Sequence, residues 1–322
     1  MRAGAGRSPA NAYASLVSLV SSTASRLPRV PRPWARGILI ANLVGEIGIV
    51  VTGGVVRLTG SGLGCPTWPE CVPGSFTPVR TDESQIHDLV EFGNRLLTFA
   101  VVILALAALY SVVTAWPERG RLQLVAVGVL AGIPAQAILG GITVLTGLNP
   151  WLVASHFLLS MVLVALSTAL VRGSRDDASG PGELVVHPLA RVVALVTSLV
   201  GAVVVVLGTI VTGSGPHSGD ADAPARTGFD PRVVSWLHAD AVMLFCGLVV
   251  ATLVSVLITA TATEVRRAWW VVLGVTLAQG AIGYVQYFTA LPIVLVLLHM
   301  LGASLLVTAL TWGVLATRRN PV

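Results

Sequence analysis

The sequence contains no lysine and few charged residues of any kind. Charged residues make up 11% of its 322 residues, whereas soluble globular domains contain about 25%. Apolar residues make up 54%, and the mean hydropathy is +0.83. The net charge of +5 comes from arginines at the ends of apolar segments rather than on one basic surface. These properties exclude an ordinary soluble domain and a nucleic-acid partner, and they indicate an integral membrane protein.

Eight apolar runs are long enough to cross a membrane as helices, which takes roughly 20 residues for a hydrocarbon core of about 30 Å. The runs lie near residues 37–58, 86–114, 121–142, 150–172, 189–212, 232–260, 267–288 and 291–316. We therefore predict an all-α integral membrane protein with eight transmembrane helices.

Arginines flank alternate loops and both ends of the chain. By the positive-inside rule these segments are cytoplasmic, which places both termini inside. Residues 1–36 carry six arginines and no acidic residue, and no cleavage site follows a short apolar core. We interpret them as a cytoplasmic tail rather than a signal peptide. A mitochondrial transit peptide is the alternative, but the Ala-, Val- and Arg-rich composition favours a bacterial plasma membrane protein.

An internal repeat divides the chain in two. Residues 136–156 align without a gap on residues 279–299. We predict two tandem pseudosymmetric four-helix bundles, at 37–176 and 177–322, related by an axis along the membrane normal. The alignment pairs Gln136 with Gln279, Gly140 with Gly283, Thr146 with Thr289 and His156 with His299.

Four histidines lie near the same ends of the even-numbered spans: His87, His156, His238 and His299. Each is a few residues into its helix, so they share a layer roughly 10 Å below the surface. His238 and His299 are 61 residues apart (299 − 238), which suits two facing helices. This geometry favours bis-histidine haem ligation in a bundle core. The alternative is that they are buried polar residues that hydrogen-bond across helices.

The second span carries a polar face. Counting about 61 residues back from His156 leads to Asn94 and Arg95 rather than to a histidine. His87, Glu91 and Asn94 follow an i, i+4, i+7 spacing and so line one face of a helix, with Arg95 one turn from Glu91. Such a face points into a bundle rather than at lipid.

Two interpretations of Glu91 stay open. It forms a structural ion pair with Arg95 or Arg57, or its carboxylate takes part in proton transfer at a bound substrate. The two arginines could instead bind haem propionates, since a guanidinium pairs bidentately with a carboxylate. Glu46 in the first span is a second intramembrane acid of lower rank.

Cys65 and Cys71 lie in the first loop, within the segment "GCPTWPEC". A short closed loop in an oxidising compartment favours a disulfide. Two free thiols, or a redox pair that takes part in turnover, are the alternatives.

Three segments resemble the haem A synthase family: "GGVVRLTGSGLGCPTWPEC" (53–71), "EFGNR" (91–95) and "LGGITVLTGLNPWLVASH" (139–156). The likeness extends over all eight spans. It implies a haem-dependent membrane oxidoreductase that oxidises a methyl group of haem O to a formyl group by successive hydroxylation, for cytochrome c oxidase biogenesis. It also implies a haem b cofactor in the C-terminal half and haem O in the N-terminal half.

The resemblance implies roles for single residues. His238 and His299 would bind the haem b iron, His156 the substrate haem, and Glu91 would be the key acid. Cys65 and Cys71 would form a disulfide near the substrate site. Expected partners are haem O, the lipid bilayer, a haem O synthase and cytochrome c oxidase assembly proteins.

One position departs from the family pattern, which has histidine where Asn94 stands. Asn94 is then a weak ligand through its oxygen, a hydrogen-bonding residue or a spectator, and His87 is interpreted as lining the site near the haem edge.

Two alternative functions remain. One is a membrane di-haem b-type electron carrier, which calls for four matched histidines, and the other is a transporter, which calls for a polar layer at the midplane.

Overall fold

The structure, a computed structural model, describes residues 27–79, 85–176, 182–220 and 224–319. Within these ranges the regular elements are helices and one two-stranded pairing, and the loop after the first helix also contains an isolated bridge between Val72 and Ser75. The elements are α1 (Arg32–Leu58), α2 (Gln85–Ala115), α3 (Gly120–Leu145), α4 (Pro150–Gly173), β1 (Glu183–Leu184), α5 (Pro188–Ser214), α6 (Pro231–Thr259), α7 (Thr263–Phe288), α8 (Ile293–Leu315) and β2 (Arg318–Arg319).

All eight described helices are long and apolar enough to cross a membrane. The predicted eight-span fold is therefore confirmed, and the predicted spans match the helices closely. Most of the predicted N-terminal tail, residues 1–26, lies outside the described residues, as do residues 177–181 of the segment that joins the two halves.

Proline and a capping side chain mark where two even-numbered helices begin. Pro150 opens α4, and the Asn149 side chain accepts a hydrogen bond from a backbone N–H of the first turn at 3.0 Å. Pro231 opens α6, where Asp230 accepts two such bonds, the shorter at 2.7 Å. Proline suits the first turn because its missing N–H has no helical partner there, and the caps satisfy the next donors.

The 143-residue repeat is present in the backbone. Gly147 and Leu148 follow α3 with φ angles of 61° and 58°, and Ala290 and Leu291 follow α7 with 60° and 59°. In each turn the second residue donates its N–H to the carbonyl five residues earlier, at 2.9 Å and 2.8 Å. Only the first turn places glycine in this left-handed conformation, so Ala290 adopts it at a steric cost.

Each half has its own apolar core. The core of the first half is built around Leu39, Val112 and Trp116, and that of the second around Phe245 and Trp269. Helices α1 and α4 pack against α8, and α4 also packs against α5. These contacts join the two halves. Because large apolar side chains also cover the outer surface, the helices are apolar on nearly all sides, as membrane spans are.

Arginines organise the end of the bundle where β1 and β2 lie. Arg172 is 3% exposed and pairs with Asp176 at 2.7 Å and Glu264 at 3.3 Å. The antiparallel pairing of β1 with β2 ties the start of the second half to the end of α8. That these arginines face the cytoplasm stays a prediction.

Candidate haem site

A cavity of about 1720 Å³ opens between the two halves. It lies toward the end of the bundle where the loops after α1, α3, α5 and α7 are found, which we call the cavity end. Pockets for single small ligands are usually about 300–1,000 Å³. The cavity is therefore large enough for two ligands of that class, and most of its wall is apolar.

Three of the four predicted histidines line this cavity: His156, His238 and His299. The Nδ1 atom of each is buried and has no hydrogen-bond partner among the described residues. A buried polar atom without a partner is costly, so the three Nδ1 atoms have an unmet capacity to bind a ligand.

Each of the three rings packs against a glycine of the preceding helix. A side chain at Gly140 or Gly208 would press on the imidazole, since ordinary carbon contacts are about 3.5–4.0 Å, whereas one at Gly283 would make an ordinary contact. The distances from the Cε1 atom to the position that a Cβ would take are 3.1 Å for Gly140 and His156, 3.3 Å for Gly208 and His238, and 3.5 Å for Gly283 and His299.

Two glutamines hold the helices that carry these histidines. The Gln136 side chain donates to the backbone carbonyl of His156 at 3.1 Å, and Gln279 donates to that of His299 at 3.0 Å. Gln136 also donates to the Ser160 hydroxyl at 2.6 Å. The repeat therefore places the same hydrogen bond beside a histidine in both halves.

Glu91 is buried in the cavity wall and binds on two sides. Its Oε1 accepts hydrogen bonds from the Arg95 guanidinium at 2.6 and 3.2 Å. Its Oε2 accepts the backbone N–H of Cys65 at 2.7 Å. Of the predicted ion-pair partners, the structure pairs Glu91 with Arg95 and not with Arg57.

The disulfide loop is attached to this face of α2. Cys65 and Cys71 form the predicted disulfide. Arg95 donates to the carbonyl oxygens of Cys65, Thr67 and Glu70 at 2.8, 3.0 and 3.2 Å. The disulfide closes the loop, and the hydrogen bonds from Arg95 hold it over the cavity.

Asn94 also lines the cavity, on the same helix as Glu91. Its Oδ1 lies 2.7 Å from the hydroxyl oxygen of Thr52 on α1. Because an amide oxygen only accepts, the Thr52 hydroxyl donates. The side chain of Asn94 is therefore fixed by α1, and its oxygen accepts one hydrogen bond.

Arg57 links the halves at the cavity end. Its Nε donates to the carbonyl of His217 at 2.7 Å, and a terminal nitrogen donates to that of Thr212 at 3.1 Å. Close by, the backbone N–H of Gly62 donates to Gly219 at 2.9 Å. Arg57 thus contacts the cavity and also holds the second half's loop.

His87 is not among the described residues that line the cavity, and its place near the haem edge stays a prediction. Its ring is exposed, and its Nδ1 pairs with the hydroxyl of Ser61 at 2.9 Å. It is the third residue of α2, at the end of the helix where Gly64 of the loop after α1 packs on the backbone of His87.

Glu46 is 3% exposed and lines the cavity, with its Oε1 unpartnered among the described residues. It lies on α1, farther from the cavity end than Thr52.

Two contributions to the wall were not predicted from the sequence. The Trp68 indole of the disulfide loop packs directly on Gly141 of α3, where any Cβ would overlap the ring. The hydrogen bond between Thr52 and Asn94 joins two spans. The spacing of polar residues along either helix does not predict it. The two glutamines, by contrast, are paired by the repeat alignment and could have been found.

Comparison with known proteins gives a consistent result. Residues 36–311 match the COX15-CtaA family, described as "Cytochrome oxidase assembly protein". A "Heme A synthase" from Geobacillus thermodenitrificans is 29% identical over 176 residues, which is 50% of this chain and 53% of that protein. One from Lysinibacillus sphaericus is 33% identical over 140 residues, or 41% and 42%.

The chain thus spans about half the length of the first of these relatives and less of the second. A "Heme A synthase" from Bacillus mycoides is 23% identical over 285 residues, which covers 85% of this chain and 90% of that protein. The relatives are bacterial, and eight apolar helices fit a multi-pass plasma membrane protein. Since the family match runs from α1 into α8, the chain belongs to the COX15-CtaA family of cytochrome oxidase assembly proteins.

Proposed function

We propose that this protein is a haem A synthase, a membrane oxidoreductase that converts haem O to haem A. The observation that carries the proposal is the set of three half-buried histidines in one cavity, two in the second half and one in the first, each with a buried Nδ1 atom that has no hydrogen-bond partner among the described residues. Imidazole is a common haem-iron ligand. The family match and the relatives' names support the same reaction.

The second half would hold a haem b cofactor between His238 and His299. The fit rests on their buried Nδ1 atoms, which have no hydrogen-bond partner among the described residues, and on Gly208, which leaves room for the His238 ring to keep its orientation. When bound, this haem supplies one-electron redox chemistry. The protein's own contribution is to orient the two imidazoles and to exclude water with an apolar wall.

The first half would bind haem O as substrate, with His156 as an axial ligand to its iron. Conversion of the methyl group to a formyl group is a four-electron oxidation: R–CH₃ and H₂O become R–CHO, four protons and four electrons. Two hydroxylations and a loss of water achieve this change. An external electron acceptor takes the electrons, and the protons must leave a largely apolar cavity.

Glu91 would accept and pass on protons that the methyl oxidation releases. Its two oxygens take N–H bonds from Arg95 and from the Cys65 backbone, which favour the charged carboxylate. General acid–base groups of this kind typically contribute about 10²–10⁴-fold to a rate. Glu91 would thereby be both an ion-pair partner and a proton carrier.

Arg57 and Arg95 would bring positive charge to the haem propionates. Both line the cavity, and a guanidinium suits a carboxylate. Arg95 already donates hydrogen bonds to Glu91 and to the disulfide loop, so Arg57 is the better candidate.

The reaction also calls for partners that supply haem O and receive haem A, namely a haem O synthase and assembly proteins of cytochrome c oxidase.

The test is to express the full chain with a haem O supply and to extract the haems for chromatography. Haem A in the extract supports the proposal. Unchanged haem O beside a b-type spectrum would instead favour a membrane di-haem electron carrier. His156→Ala serves as the matched variant, because it removes the substrate ligand and leaves His238 and His299 in place.

A further inference from the structure

We propose that haem O, bound as the substrate, has a single protein ligand, His156, and that the other face of its iron is open and faces the amide N–H groups of Asn94. The inference rests on the proposed function, since it concerns the same site. It assigns Asn94 and Thr52 as positioning residues for whatever small molecule binds at the open position.

The first step is register. Asn94 precedes His156 by 62 residues (156 − 94), and His238 precedes His299 by 61 (299 − 238). The interval of 61 residues back from His156 ends at Arg95, the next residue after Asn94. Because Arg95 is bound to Glu91 and to the disulfide loop, we take Asn94 as the cavity-lining residue of α2 whose place is nearest to that of His238 on α6. In the second half this place holds an imidazole packed against Gly208 of α5, 3.3 Å from where its Cβ would be.

The second step is the contact with α1. In the first half, Asn94 contacts α1 through a hydrogen bond that Thr52 donates to it at 2.7 Å. The Thr52 hydroxyl also lies 3.2 Å from the carbonyl of Ile49. The Thr52 hydroxyl has one proton, and neither the Asn94 side-chain oxygen nor the Ile49 carbonyl oxygen can donate one. We therefore assign the hydroxyl proton to the shorter contact, the one with Asn94.

The third step is what this leaves free. The hydrogen bond from Thr52 competes with iron for the Asn94 side-chain oxygen. The side-chain nitrogen of Asn94 is a poor metal ligand because the lone pair of an amide nitrogen is delocalised. The nitrogen donates to no other residue in the part of the chain that the structure describes, and Asn94 lines the cavity. Two N–H donors are therefore available to a molecule beside the iron.

The fourth step is chemistry. Ligation on both sides favours electron transfer, whereas an open side with a nearby hydrogen-bond donor allows a small molecule to bind and be held. The second half, with two histidines, fits the first case. The first half, with His156 and Asn94, fits the second. One chain would thus hold a six-coordinate haem and a five-coordinate haem in one cavity.

The experiment uses the full-length protein purified with haem b and haem O, reduced and titrated with carbon monoxide. We expect about one carbon monoxide per two haems, bound at haem O. His156→Ala should lose both haem O and this carbon monoxide. Asn94→His should keep haem O, become six-coordinate and low-spin, and lose carbon monoxide binding.

Two further variants test the hydrogen bond. Asn94→Leu should still bind carbon monoxide, but with an affinity for dioxygen roughly two- to tenfold lower, as for loss of one hydrogen bond. Thr52→Val should keep carbon monoxide binding and shift the C–O stretching frequency, because the amide is no longer fixed. Thr209→Val is the matched control: it lines the same cavity, its hydroxyl binds its own helix at Val206, and it should leave the frequency unchanged.

The b-type spectrum of the second half reports folding in every variant. If the wild type holds haem O through His156 but binds no carbon monoxide, the iron has a second protein ligand, and this inference fails while the proposed function stands. If His156→Ala keeps haem O in full, the substrate site itself is misplaced and both fail. An unchanged C–O frequency in both Thr52→Val and Asn94→Leu would remove Thr52 and Asn94 from the site.

Discussion

The side-chain amide of Gln279 donates a hydrogen bond of 3.0 Å to the backbone carbonyl of His299. The same bond joins Gln136 to His156 in the first half at 3.1 Å. Both glutamines line the cavity, and the Oε1 of each is unpartnered among the described residues. A histidine and the helix that faces it are therefore tied together in the same way at both proposed haem positions.

Gln279→Leu should weaken the retention of haem b. The change removes one hydrogen bond, worth about 1 kcal/mol, and releases α7 from the helix that carries His299. We expect roughly fivefold faster loss of haem to an apomyoglobin acceptor, measured by absorbance. Gln136→Leu is the matched control and should lower haem A formation without changing the b-type spectrum. Equal effects of both variants on haem b would show that the two halves do not hold separate haems.

Gly302→Ala should reproduce the Gln279→Leu result without touching that glutamine. A Cβ at residue 302 would overlap the Gln279 side-chain amide, so the amide must move away. The measurement is the same haem-transfer rate. Wild-type haem retention in Gly302→Ala would mean that the hydrogen bond from Gln279 does not position His299.

His299→Ala should deplete haem b, because it removes one of the two proposed axial ligands. The spectrum of the purified protein and the extracted haem content measure this loss. His187→Ala is a suitable control, since that ring is exposed and only caps the start of α5. A normal b-type spectrum in His299→Ala would remove the ligand assignment.

Glu91→Gln should lower haem A formation by about 10²–10⁴-fold, the range of a lost general acid–base group, while the b-type spectrum stays. Glutamine preserves the shape but cannot carry a proton, and it must turn an NH₂ toward Arg95 or the Cys65 N–H. Haem extraction and chromatography measure the product. Glu118→Gln is the control, because its ion pair with Arg32 is exposed and far from the cavity. Loss of the haem b signal as well would identify Glu91 as a folding residue.

Replacing both Cys65 and Cys71 by serine should destabilise the protein by about 2 kcal/mol, as expected for a short closed loop, and reduce haem A without abolishing it. The loop remains attached through Arg95 and Glu91. Thermal unfolding and haem A yield are the measurements. Complete loss of haem A with unchanged thermal stability would instead indicate that the cysteines take part in turnover.

Several features follow from the sequence alone. The eight spans and the repeat are recorded in local hydropathy and in spacing along the chain, and so are the positions of His156, His238 and His299 along their helices. A transmembrane helix rises by a regular 1.5 Å per residue, so position in the sequence determines depth in the membrane. The disulfide followed in the same way from two cysteines six residues apart.

Other features depend on the tertiary structure. Spacing placed His87, Glu91 and Asn94 on one face, but the loop after α1 takes up His87, and only the two deeper residues line the cavity. The choice of Arg95 rather than Arg57 as the partner of Glu91, and of Thr52 as the partner of Asn94, was also decided there. These pairings depend on how each helix is rotated about its axis and on which neighbour it meets, and neither quantity is contained in the periodicity of a single helix.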